Sequence, residues 1–89
     1  MGEHFVDKVE KLPRNQKIIG EAIIRLMTQG YWEFTYREVH EEILTEYPDF
    51  IGTATGPGLH DLLKKHLINK VGKKRCSVTH KKSNVWQVV

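Results

Sequence analysis

Apart from a short alternating stretch at residues 31–34 and a turn-like one at 49–58, apolar positions along this chain recur with helical spacing as far as residue 67 and with the spacing of strands after it. Phe5, Val9 and Leu12 lie at helical spacing, predicting a short helix over Glu3 to Leu12. Pro13 closes it, because its ring removes a backbone donor and restricts the residue before it. Such a segment serves either as a lid on the core or as part of a dimer interface. Ile18, Ile19, Ala22, Ile23, Leu26 and Met27 then form a stripe that only a helix places on one side. Asn15 is its candidate N-cap, and Gly30 its left-handed residue past the end. Gly20 costs this helix roughly 1 kcal/mol relative to Ala, which points to another backbone passing close by.

Tyr31-Trp32-Glu33-Phe34 is short, aromatic and alternating, and predicts a brief strand whose Trp32 either packs in the core or stacks on a base, the core being favoured. Thr35-Tyr36-Arg37-Glu38 has the form of a capping box, and Phe34 and Val39 are placed for its hydrophobic staple. The helix it opens has Val39, Ile43, Leu44 and Tyr47 as its inner stripe and stops at Pro48. Glu38, Glu41, Glu42 and Glu46 fall on its outer side. Asp49 to Gly58, rich in Gly, Thr and Pro, predicts a turn region anchored by Phe50 and Ile51. A third helix follows from Gly58 to Leu67, with Leu59, Leu62, Leu63 and Leu67 inside and His60, Asp61, Lys64 and Lys65 outside. Thr55 or Gly56 is its candidate cap, with Pro57 tolerated in the first turn.

From Ile68 the period becomes that of strands. Val71, Cys76 and Val78, then Val85 to Val89, predict two antiparallel strands joined by Thr79 to Asn84. Lys74 falls among the half-buried positions, so it must sit at an edge or snorkel. With 89 residues, 39% of them hydrophobic, the chain suits one core and one domain. Residues 1–14 read as an extension or short helix, and 15–89 as the domain proper.

Charge divides this single fold. Residues 1–50 hold six Lys/Arg against ten Asp/Glu, whereas residues 51–89 hold eight against one, Asp61. Cations so concentrated on one helix and one hairpin repel each other unless a polyanion faces them, which points to nucleic acid. Other chemistries find little support. The single cysteine, Cys76, excludes an intramolecular disulfide and suggests an intracellular protein, cytoplasmic or nucleoid-associated. No segment approaches the roughly 18 apolar residues of a membrane span. His60, His66, His80 and Cys76 lack the pair spacings of a zinc site. The Gly-rich run Gly52 to Gly58 lacks the Gly-Lys-Ser/Thr ending of a phosphate loop. No catalytic constellation, cofactor site or small-molecule site is evident, and the chain reads as a non-enzyme.

Helix, short strand, helix, turn, helix and two-stranded hairpin is an element order that resembles the winged helix-turn-helix domain over Asn15 to Val89. The run Leu59-x-x-Leu62-Leu63-x-x-x-Leu67-Ile68-x-Lys70-Val71 looks like a recognition helix passing into the first wing strand, and Trp86 is similar to a late tryptophan in many such domains. The resemblance implies an α+β fold, a three-helix core with a hairpin wing, that binds double-stranded DNA as a small transcriptional regulator. In that family the third helix enters the major groove and the wing lies on the backbone or in a minor groove. Carried over by position, Thr53, Thr55, His60, Asp61, Lys64 and Lys65 are the helix candidates. Lys73, Lys74, Arg75, His80, Lys81, Lys82 and Asn84 are the wing candidates. Thr55 and the amides near Gly56 and Gly58 are placed for a phosphate at the helix start.

The sequence departs from the family at two places. His66 stands where Gly is common, so that either the turn differs or His66 takes a strained conformation, and Gly56-Pro57-Gly58 replaces a Ser/Thr-rich helix start. A homodimer through the N-terminal segment or the first helix would suit palindromic sites. The competing expectation is a protein-interaction module of the same frame, whose basic face meets an acidic partner and whose acidic second helix and apolar N-terminal segment dock.

Overall fold

Four helices pack against one small sheet in a computed structural model that describes residues 2–76 and 78–89. In chain order these are α1 (Gly2–Glu10), α2 (Arg14–Thr28), β1 (Glu33–Phe34), α3 (Tyr36–Glu46), α4 (Gly52–Lys64), β2 (Ile68–Arg75) and β3 (Lys82–Val88). The class is α+β with a three-stranded antiparallel sheet ordered β1-β3-β2, compatible with a small winged-helix-like fold. The core is where the apolar stripes meet: Ile19, Ala22 and Ile23 from α2, Phe34 from β1, Val39 and Ile43 from α3, Leu59 and Leu62 from α4 and Ile68 from β2 are all essentially inaccessible.

α1 is a lid. Phe5 and Val9 are buried in the same cluster, so the chain itself covers the apolar face that the sequence also offered to a dimer. Gly20 has a different reason from the one expected: a Cβ there would stand 2.6 Å from a methyl of Val9, so a side chain, not a backbone, occupies the space. Asn15 does not cap α2, which begins one residue earlier behind Pro13. Its other end is as predicted. Gly30 lies at φ 95°, and the Tyr31 and Gly30 amides donate back to the Leu26 and Met27 carbonyls at 2.9 and 3.0 Å. These are the two bonds of a Schellman ending.

α3 starts where its capping box says. The Glu38 amide donates to Thr35 Oγ1 at 3.3 Å and the Thr35 amide to Glu38 Oε1 at 2.9 Å, with Phe34 and Val39 both fully buried. The expected outer row of glutamates needs correction. Glu38 is buried, and Glu42 takes an ion pair from Arg25 of α2 at 3.4 Å. Tyr47 and Trp32, expected inside, are exposed.

The largest correction concerns α4. It begins at Gly52 rather than Gly58, so the Gly- and Pro-rich run is helix, not turn, and Pro57 lies in its interior. Three contacts hold this run in place against its poor intrinsic preference. Tyr36 donates its hydroxyl to the Gly52 carbonyl at 2.8 Å, Thr55 Oγ1 lies 3.0 Å from His40 Nδ1, and bare Gly58 lets Ile19 approach. α4 also stops early, at Lys64. His66 takes the left-handed position at φ 60° while the Leu67 and His66 amides cap the Leu62 and Leu63 carbonyls, each at 3.0 Å. Of the two alternatives at His66 the structure shows the left-handed one, a Schellman ending made without glycine.

The hairpin differs from expectation at its tip and in its middle. β2 ends at Arg75 and β3 starts at Lys82, so Val78 belongs to the turn, not to a strand, and the tip spans 76–81. A bulge between Lys70 and Gly72 leaves Val71 exposed rather than inward. Phe34 pairs with Trp86, and Ile68 with Val88, where the hairpin base meets the helices.

Candidate nucleic-acid interface

Cross-strand register assembles one group of the predicted residues. Lys73 pairs with Asn84 and Arg75 with Lys82, so these four side chains share a face of the hairpin, and all four are exposed. Like charges directly opposite each other destabilise a sheet, yet Arg75 and Lys82 stand in that relation. Among the described residues the ion pairs join Arg25 to Glu42, Arg37 to Glu41 and Lys74 to Glu38, and none reaches Lys73, Arg75, Lys81 or Lys82. His80 and Lys81 sit exposed on the adjoining turn, where His80 adopts φ 60°.

Lys74 is the exception on this hairpin. Its side chain lies on the opposite face, with Nζ 3.4 Å from Glu38 Oε1 and donating to the Glu33 carbonyl at 2.8 Å. Rather than facing outward it ties the hairpin to the start of α3, which is the snorkelling its position required. A second tie lies beside it, where Cys76 Sγ sits 3.0 Å from Thr35 Oγ1. Burial pushes the Cys76 thiol up, but hydrogen bonds from the Thr35 hydroxyl, the Thr79 and Val78 amides and the Thr79 hydroxyl outweigh it and hold the thiol below its ordinary value of 9.0.

α4 contributes the other group. Thr53, Pro57, His60 and Lys64 follow one another at intervals of four, three and four residues, which on a helix is a single line, and all are exposed. Thr55 is not with them: it is fully buried against His40, so it faces the core instead of a ligand. Lys65 is drawn aside too, donating from Nζ to Gln16 Oε1 at 2.6 Å, while Gln16 donates to Asp61 Oδ2 at 3.2 Å. The start of the helix has moved with its boundary. Its first-turn amides belong to 52–54, not to Gly56 and Gly58.

One exposed residue of this region went unnoticed in the sequence, Pro57, which completes the α4 line; it falls in a segment whose composition reads as loop, so no helical line could be drawn through it. Ile51, expected to anchor this segment to the core with Phe50, is instead 68% exposed, and only Phe50 packs against the core. No group of three or more His, Cys, Asp or Glu able to hold a metal occurs among the described residues, and no helix there is long and apolar enough to cross a membrane. Comparison of the chain with protein-family models, with curated proteins and with solved structures gives no match.

Proposed function

We propose that this chain is a winged helix-turn-helix domain that binds double-stranded DNA as a small transcriptional regulator. On this reading α4 lies in the major groove and the β2-β3 hairpin runs along the backbone or into a minor groove. One observation carries it: Lys73, Arg75 and Lys82 share a hairpin face with no carboxylate paired to them among the described residues, although Arg75 directly opposes Lys82. That arrangement costs the isolated fold and is relieved by phosphate. Lys64 adds a further exposed cation at the end of the α4 line. A two-fold dimer on a palindromic site goes with the proposal. With Phe5 and Val9 buried, its contact has to come from other surface, and sedimentation at tens of micromolar, on the order of a thousandfold or more above typical specific dissociation constants, tests it.

The decisive measurement is duplex binding by fluorescence anisotropy across a salt series. Affinity should fall steeply with salt, and a Lys73→Ala, Arg75→Ala, Lys82→Ala variant should reduce the log–log slope by up to about 3, at roughly 0.9 for each phosphate left without its cation. Its melting temperature should hold or rise, because a like-charge pair disappears. Binding insensitive to salt, or a variant with the parent slope, overturns the proposal.

A protein-interaction module of the same frame is the second reading. Trp32, 62% exposed beside exposed Tyr31, favours it, because an aromatic pair left in water is typical of surfaces that dock. Duplex titration followed by NMR separates the two, since shifts absent from α4 and the hairpin support docking.

A further inference from the structure

Glu41 and Glu42 line a groove on the side of the molecule away from α4. Leu26, Gln29 and Tyr31 form its other wall, and Val78 of the hairpin tip closes it. Tyr31 and Val78 are each 39% exposed, and Trp32, next to Tyr31, is 62% exposed, so apolar surface stands open to water around this groove. Charge runs along it in order. The hairpin tip is fixed at the start of α3, where Cys76 meets Thr35 and Lys74 meets Glu38. Glu41 and Glu42 lie further along that helix, about 10 Å beyond Thr35 at roughly 1.5 Å per residue. The tip brings exposed His80 and Lys81, and no carboxylate follows Asp61 in the chain, so this end is basic and the middle of α3 acidic. Lys81 stands across from Cys76, whose amide donates to its carbonyl at 2.9 Å. Alternation therefore puts it on the side of Cys76 and Lys74, away from the Lys73, Arg75 and Lys82 face left for phosphate. Glu41 and Glu42 already meet Arg37 at 3.1 Å and Arg25 at 3.4 Å, but the Arg37–Glu41 pair is exposed, of the kind that exchanges at little cost.

We infer that this groove is the contact between two copies of the chain related by a two-fold axis, with Tyr31 and Val78 of each packing on those of the other and Lys81 of each reaching Glu41 of the other. A patch with an apolar middle, cations at one end and carboxylates at the other is complementary to itself when turned half round, which is what a two-fold contact demands. Charge identifies the occupant. The chain is acidic up to residue 50 and basic after it, so a second copy supplies both signs in the order the groove requires. The inference rests on the reading above only in assigning the dimer to a palindromic site, and it supplies the surface that buried Phe5 and Val9 do not.

Sedimentation equilibrium of the full chain without DNA tests the contact. A monomer–dimer equilibrium should appear on the order of tens of micromolar. Tyr31→Ser combined with Val78→Ser should weaken it roughly a hundredfold, because a two-fold contact counts each loss twice. Both side chains lie at the surface, so the melting temperature should stay close to that of the parent. Glu41→Lys and Lys81→Glu should each weaken the dimer roughly tenfold, and an equal mixture of the two variants should regain it, since the mixed pair has opposite charges at both ends. No folding defect produces that rescue. A parent that is monomeric at this concentration overturns the inference and hands the groove to a different protein. A dimer indifferent to Tyr31 and Val78 overturns it too, as does a mixture without rescue. Duplex binding is measured separately, so salt-dependent binding by a monomer overturns the contact alone, while a dimer that binds no duplex overturns the DNA reading and leaves the contact standing.

Discussion

α3 and α4 are neighbours of similar length built on opposite terms. α3 has a capping box, a buried capping glutamate, an Arg37–Glu41 pair one turn apart and no glycine or proline. α4 has an apolar N-cap without a side-chain bond, three glycines and an internal proline. A helix of the first kind is specified by its own sequence, whereas the second is helical because of what it packs on. The difference shows in their surfaces. α3 spends its polar groups on its own stability and on holding α2 and the hairpin, while α4 turns an exposed line of residues outward.

The contrast can be broken most readily at the α4 core face. Leu62 is wholly buried, and Leu62→Ala should cost about 3 kcal/mol in chemical denaturation. A loss well under 1 kcal/mol would show that α4 does not depend on burial. At the caps the two helices should respond with opposite signs. Thr35→Ala removes a cap and the partner of Cys76, and should destabilise by about 1–2 kcal/mol, whereas Ile51→Ser should stabilise by up to about 1 kcal/mol. Equal signs would undo the comparison. The smallest effect concerns the tie between α3 and the hairpin. Because the folded state holds the Cys76 thiol below 9.0, the unfolded chain binds more protons between that lowered value and 9.0. Stability should therefore rise with pH through this window, be fully present above it and be lost as pH falls through the folded value. Denaturation of Cys76→Ala, measured across the same pH range, should lack the rise.

How much the sequence revealed follows the same division. Thr35 and Glu38 announce the start of α3 because a capping box is a matter of residues three apart. Gly52 to Gly58 announce nothing, since their helix rests on Tyr36, His40 and Ile19, which lie 16, 15 and 39 residues away from the groups they meet. The cations of the hairpin were legible as a group, but not their fates. Lys74 turns to Glu38 because the register puts it on the face opposite Lys73 and Arg75, and Lys65 turns to Gln16 because α2 lies within its reach. Thr55 looked like a surface cap only while the segment containing it looked like a loop.

By itself the sequence determined the order of elements, the burial of most of the α2 stripe and of Val39 and Ile43 in α3, the capped start of α3, the glycine ending of α2 and the concentration of positive charge after residue 50. These follow from period, local hydrogen bonding and composition, which act within a few residues. Only the tertiary structure decided where α4 begins, which lysines stay free and which residues share its outward line. Those depend on contacts between segments far apart in the chain, and on a bulge and a strand register that no local pattern records.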